Sequence, residues 1–214
     1  MRIKICGITT PQEGLAAAHA GADALGCLVG VEHLSPDGIP AAAARWVFAA
    51  LPPYVARVLV THRATLPEIE DLVAETAATV VQLHGDFPVA EIPRLCSRFP
   101  YLTIVKAVHV TGDEAVAQAR DAARAAHAIL LDTRTPGRVG GTGTVHDWSI
   151  SARIVTGVPV PVILAGGLHA GNVAEAIARV RPWGVDVNTG TKGADGKKSE
   201  ERMRSFVVAV RSAS

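Results

Sequence analysis

At 214 residues, 49% of them hydrophobic and with a formal net charge of +1, the chain can bury one large core and carries no charge excess that would draw it to nucleic acid or to an anionic membrane. Its three cysteines, Cys6, Cys27 and Cys96, are odd in number and unclustered, so they point to neither a disulfide framework nor a metal-binding Cys/His spacing, and a reducing cytoplasm is the expected setting. No apolar run approaches the roughly eighteen residues of a membrane span, and residues 1–8 read as a strand rather than as a basic and apolar leader.

Short apolar runs alternate with amphipathic, alanine-rich segments along the whole chain. Strands are predicted at 2–6, 24–29, 55–60, 80–83, 103–107, 128–132, 160–165 and 185–188, and helices at 11–20, 41–50, 66–77, 89–98, 114–125, 148–155, 173–180 and 200–210. Thr10-Pro11-Gln12-Glu13 and Thr65-Leu66-Pro67-Glu68 each set a Thr N-cap three residues before a Glu, the pattern of a capping box. Eight strand and helix units average about 27 residues each, near the lower limit of a (β/α)8 barrel. A doubly wound sheet would use about five or six strands and open on a glycine fingerprint. The first strand here runs instead into Cys6-Gly7-Ile8-Thr9. The expected architecture is therefore an α/β TIM barrel, one domain over residues 1–214.

In such a barrel the reactive groups sit at the carboxyl ends of strands, where all the following loops open to one face. Read by that rule, the apolar run Ala128-Ile129-Leu130-Leu131 delivers Asp132 to the rim, with the glycine loop Gly140-Gly141-Thr142-Gly143 behind it. A strand-end Asp also serves as a turn cap, and a free Cys as a small buried hydrophobe, so neither is decisive alone. Asp132 opposite Cys6 makes an acid and base pair without metal, and Lys4 or a helix N-terminus could favour the thiolate. Gly166-Gly167 and Asn188-Thr189-Gly190 follow strands seven and eight, where barrels commonly hold phosphate on backbone N–H groups.

Lys4-Ile5-Cys6-Gly7-Ile8-Thr9, Val81-Gln82-Leu83-His84-Gly85-Asp86, Leu130-Leu131-Asp132, Gly140-Gly141-Thr142-Gly143 with Asp147-Trp148, Leu164-Ala165-Gly166-Gly167-Leu168 with Asn172-Val173, and Gly184-Val185-Asp186-Val187-Asn188-Thr189-Gly190 occur in that order. In order and spacing the set resembles the phosphoribosylanthranilate isomerases from end to end. The resemblance implies a (β/α)8 barrel and an Amadori rearrangement in tryptophan synthesis, performed without cofactor or metal. It implies Asp132 as the general acid that opens the furanose ring and Cys6 as the general base that takes the C2′ proton. It implies phosphate binding at Gly166, Gly167, Asn188, Thr189 and Gly190, and a glycine loop at 140–143 that folds over the ligand.

One departure stands out. Where that family carries a Ser-Pro-Arg segment whose arginine faces the anthranilate carboxylate, this chain reads Ser35-Pro36-Asp37, with Asp37 in the arginine's place, or Pro36 if the loop is aligned from its far end, and neither binds a carboxylate. An aspartate repels a carboxylate, so another cation must substitute, or the amine half of the substrate lacks that group. Arg134 and Arg138, on the loop after Asp132, are the nearest candidates for a replacement, and Lys4, His84 and Gly141 complete the candidate ligand contacts. Thr61-His62-Arg63 and Gly190-Thr191-Lys192 depart from the family pattern as well. Three readings follow: the isomerase with its carboxylate clamp relocated, a paralogue acting on another phosphorylated aminosugar, and a barrel that binds a sugar phosphate or a pathway enzyme without turnover. The expected partner is a phosphorylated sugar-amine small molecule, with the chain a monomer or a homodimer.

Overall fold

The computed structural model describes residues 1–31, 35–133 and 146–213. Among them, strands β1 (Arg2–Cys6), β2 (Ala24–Leu28), β3 (Ala56–Thr61), β4 (Val80–Leu83), β5 (Thr103–His109), β6 (Ala128–Asp132), β7 (Val162–Leu164) and β8 (Gly184–Val187) pair in parallel in chain order, and β8 pairs back to β1. The result is a closed barrel. Helices α1 (Pro11–Ala20), α2 (Ala41–Ala50), α3 (Leu66–Thr76), α4 (Ile92–Arg98), α5 (Glu114–Ala122), α6 (Trp148–Gly157), α7 (Val173–Val180) and α8 (Glu200–Ser212) alternate with the strands. No helix among the described residues is long and apolar enough to cross a membrane.

Where element ends differ from expectation, proline and pairing explain the difference. The helix expected over 89–98 begins as a 3-10 turn, Val89–Glu91, and restarts as α4 with Pro93 in its first turn. Proline has no N–H to return to the preceding turn, and only a first turn leaves that group unneeded. Strand β7 starts after Pro161, which accepts from Ile129 but has no N–H for the ladder. Strand β5 runs two residues beyond expectation because its pairing with β6 continues to His109 opposite Asp132.

The two expected capping boxes form in part. Thr10 accepts from the Glu13 N–H at 3.2 Å, while the Glu13 carboxylate reaches past the cap to the N–H and hydroxyl of Thr9, both at 2.8 Å. The Thr65 hydroxyl donates to Glu68 at 2.6 Å and makes no bond to the helix backbone.

Successive residues of a strand face opposite sides of the sheet, so each strand contributes one set to the helices and one to the lumen. Ile3, Ile5, Leu25, Leu59, Val81, Ile104, Ile129, Leu131, Leu164, Val185 and Val187 form the shell packed with the helices. Val58, Val60, Val105, Ala107, Ala128, Leu130, Ile163 and Ala165 fill the lumen with Cys6. The parity that buries Ala128 and Leu130 in the lumen carries on to Asp132, and that of Val58 and Val60 to His62. The same count takes Val105 and Ala107 to His109.

Helix α8 covers the strands at the closing seam through Met203, Phe206, Val207 and Val210. Phe206 has 0% exposure, so Phe206→Ala leaves a cavity that costs about 3–5 kcal/mol. A fall of that size in urea-unfolding stability is expected; a loss under about 1 kcal/mol would mean that α8 does not pack as described.

Candidate active site

Cys6 and Lys4 project into the lumen from β1, two residues apart and so on one face. Both reach the space over Gly26, which stands opposite Cys6 in the strand register. A Cβ on Gly26 would lie 2.8 Å from Cys6 Sγ and 3.3 Å from Lys4 Nζ, so the absence of a side chain there makes room for thiol and ammonium side by side. Register also sets Lys4 opposite Asp186 of β8, and Lys4 Nζ donates to Asp186 Oδ2 at 2.6 Å with both side chains only 7% exposed.

Burial works against the Lys4 ammonium, but Asp186 and Cys6 outweigh it and hold the Lys4 pKa above the usual lysine value. Burial pushes the Cys6 thiol up as well, and the charges of Lys4 and Lys198 only partly offset it. The Lys4 ammonium does act on the thiol in the expected direction, without making the thiolate the resting form. Lys4 is close enough to favour it, but its charge is shared with Asp186, and desolvation of the sulfur prevails. Lys198, buried near Cys6, Asp37 and Lys192, is pushed down to about 8, chiefly by desolvation.

Across the mouth, Asp132 ends β6 among three imidazoles. His84 Nε2 lies 3.3 Å from Asp132 Oδ2, and the Thr133 N–H donates to Oδ1 at 2.9 Å. Burial alone would raise the Asp132 pKa; the His84 hydrogen bond and the charges of His84 and His109 reverse this and hold it below 3.8. His84 stacks on His62 with ring centroids 5.4 Å apart and meets His109 edge-on at 5.2 Å. Gln82, two residues back on the same face of β4, touches His84 Nδ1 at 3.0 Å and orients the ring.

The two expected phosphate loops are adjacent. Gly166 and Gly167 follow β7 with φ of 84° and 68°, a conformation that favours glycine, and a Cβ on Gly166 would collide with Thr133 beside Asp132. Asn172 braces the turn by donating to Gly167 O at 3.0 Å. Thr189 and Gly190 open a 3-10 turn, Thr189–Thr191, whose first N–H groups have no partner within it, and Gly190 packs against Leu168 O and His169. Asn188 is engaged elsewhere, since its amide donates to Asp37 at 2.9 Å and its two oxygens accept from Lys198 at 2.8 and 3.0 Å.

Asp37, in the place expected for a carboxylate-binding arginine, is buried and ion-paired to Lys192 Nζ at 2.6 Å. Two of the departures noted in the sequence thus meet in one pair. Arg134, Arg138, Gly141 and the glycine loop 140–143 lie outside the described residues. The described ends of that segment are tied together, because His146 contacts Thr133 Oγ1 at 2.9 Å and Ser151 Oγ at 2.6 Å.

Sequence reasoning did not single out Asp186, Lys198, His109 or His146. Strand parity could have found His109 and Asp186, which fall on the faces that carry Ala107 and Lys4 in register. Lys198 and His146 sit in loops, where no periodicity points to them.

A thiol at the end of β1, a carboxyl group at the end of β6 and glycine turns after β7 and β8 together make this a (β/α)8 barrel with ionisable groups and glycine turns gathered at the carboxyl ends of its strands, the face on which barrel enzymes carry their sites. The family model described as N-(5′-phosphoribosyl)anthranilate (PRA) isomerase matches residues 3–209, and the chain belongs to that family. It is 44% identical over 210 residues, 98% of both chains, to the N-(5′-phosphoribosyl)anthranilate isomerase of Methanocella arvoryzae. Among solved structures, the phosphoribosyl anthranilate isomerase of Thermus thermophilus superposes with a TM-score of 0.85 at 33% identity over 100% of each chain. Another, solved in complex with reduced 1-(o-carboxyphenylamino)-1-deoxyribulose 5-phosphate, superposes at 0.83 with 30% identity over 99% of each.

Because the His84 hydrogen bond and charge are the first of the effects that overcome burial at Asp132, His84→Ala moves the Asp132 titration upward. In the present protein Asp132 contributes stability that is complete above its unfolded pKa and is lost as pH falls through its lower folded value; in the variant that contribution shrinks. A carboxyl NMR titration should show the upward move, and an unshifted Asp132 would remove His84 as its cause.

Proposed function

We propose that the chain converts N-(5′-phosphoribosyl)anthranilate to 1-(o-carboxyphenylamino)-1-deoxyribulose 5-phosphate, the aldose-to-ketose step of tryptophan biosynthesis, with Asp132 as general acid and Cys6 as general base. The observation that supports the assignment of roles is the position of these two groups at the carboxyl ends of β1 and β6, each following the lumen-facing parity of its strand.

The reaction begins with proton transfer from Asp132 to the furanose ring oxygen. The bond from that oxygen to C1′ breaks, and the anilino lone pair forms a cationic C1′=N. That cation acidifies C2′–H, so the Cys6 thiolate can take the proton and leave an enolamine. The C2′ hydroxyl then loses its proton and C1′ gains one, giving the ketose. At rest the two groups hold the opposite protonation, a thiol at Cys6 and a carboxylate at Asp132. One proton must therefore leave sulfur and one must reach Asp132 before the first step, with His84 in contact to pass it on. Lys4 and Lys198 are placed to favour the thiolate once substrate excludes water.

The phosphate is read as held by the backbone of Gly166, Gly167, Thr189 and Gly190, with Asn188 bracing the second turn. For the carboxylate of the amine half, Lys192 is the cation held at Asp37, and among the described residues that aspartate takes one of its three N–H donors. A paralogue acting on a different aminosugar would have no use for that cation, and a barrel that only binds would need neither Cys6 nor Asp132. Every residue named comes from one barrel, so monomer and homodimer are equally compatible with this mechanism.

Cys6→Ser and Asp132→Asn should each lower kcat for phosphoribosylanthranilate by at least about two orders of magnitude with little change in affinity for a phosphorylated product analogue. Full turnover in both, followed by anthranilate fluorescence, removes the acid and base assignment. Lys192→Met should raise KM roughly tenfold or more with kcat nearly unchanged, as expected for a lost charge-assisted contact made equally in ground and transition states. An unaltered KM returns the carboxylate to another cation.

A further inference from the structure

The imidazoles around Asp132 exceed what one acid needs for a hydrogen bond. A ligand nitrogen of His84, a ligand nitrogen of His109 and a carboxylate oxygen of Asp132 all lie within 4.8 Å of one another. His84 Nε2 and Asp132 Oδ2 are 3.3 Å apart, about the edge of a tetrahedron built on metal–ligand bonds of roughly 2.0–2.1 Å. The remaining separations, at most 4.8 Å, close to that edge with a side-chain movement of no more than about 1.5 Å. Asp132 Oδ1 is occupied by the Thr133 N–H, which leaves Oδ2 as the single oxygen on this side. His62, stacked on His84 with 15° between the planes, limits the swing of that ring.

From this geometry we infer that His84, His109 and Asp132 form a binding site for a divalent first-row transition cation of the zinc or cobalt type, which switches the isomerase off. Two imidazoles with one carboxylate suit such borderline cations and not magnesium or calcium, which take oxygen ligands. Three protein ligands leave the fourth position to water, as in open zinc sites. The proton count closes without loss of charge balance. Gln82 turns its amide so that its carbonyl accepts from His84 Nδ1–H, and Nε2, without a proton, turns its lone pair to the metal. Asp132 binds as the carboxylate. A metal-bound Asp132 has no proton to give the ring oxygen, so inhibition, unlike binding, rests on the acid role proposed above.

Full-length protein stripped with a chelator is titrated with Co2+, whose visible d–d absorption reports nitrogen and oxygen ligation in a site of low symmetry. One equivalent should bind and be displaced by Zn2+, and His109→Ala should weaken Co2+ binding at least tenfold. Zn2+ should inhibit turnover, with an inhibition constant raised by a similar factor in His109→Ala, each protein being compared with its own metal-free rate. His109→Asn, with less lost volume, must behave like His109→Ala, which separates loss of a ligand from a packing defect. Unchanged Co2+ affinity in both variants overturns the site. So does binding that survives them and disappears in Cys6→Ser, because the metal would then sit on the thiol. The spectrum needs no turnover, so failure of the isomerase reading does not touch it. His109-dependent binding without inhibition overturns the switch and leaves the site standing.

Discussion

The barrel depends on the seam where its last strand meets its first, and that seam is closed by a buried charge pair as well as by backbone hydrogen bonds. Lys4 and Asp186 stand opposite each other in the β1–β8 register and join at 2.6 Å with almost no solvent access. Removing two charges from water is costly, and a pair of this kind is seldom kept for stability alone. Here it holds an ammonium in the lumen under a thiol. The strand pairing that completes the fold also delivers a cation to the side chain proposed as the general base.

The two sides of the mouth differ in what burial is allowed to do. At Cys6, desolvation prevails over Lys4 and Lys198, and sulfur keeps its proton. At Asp132 the same desolvation is overcome by a histidine hydrogen bond and by positive charge, and oxygen loses its proton. Both groups therefore rest in the state opposite to the one their proposed roles require. The ligand-free site is quiet: a protonated thiol is a poor nucleophile and resists oxidation.

Asp37 shows how one altered residue is absorbed. An aspartate in the place of an arginine would repel the ligand it replaces a contact for, but Lys192 pairs with it and Asn188 donates to it. Lys198 adds a further cation through both oxygens of Asn188. The set of Asp37, Lys192 and protonated Lys198 keeps one net positive charge at the rim. The charge has moved from the loop after β2 to the loop after β8, which the closed barrel makes its neighbour across β1.

The sequence by itself determined the architecture, because alternation of apolar strands and amphipathic helices is a local property with a period, and eight such units in this length have few ways to bury their faces. It also placed Cys6, Lys4 and Asp132 at one mouth, since strand polarity and parity decide which end and which side a residue takes. The ends of elements followed local chemistry less closely, as Pro93 and Pro161 show. What only the tertiary structure decided is everything that depends on distance between strands far apart in the chain. The union of Lys4 with Asp186, of His84 and His109 with Asp132, and of Asp37 with Lys192 rests on register and closure, which no local pattern encodes. The proton affinities go with them, because a pKa in a barrel mouth is set by how much water is excluded and which charges remain close, and both are properties of the folded whole.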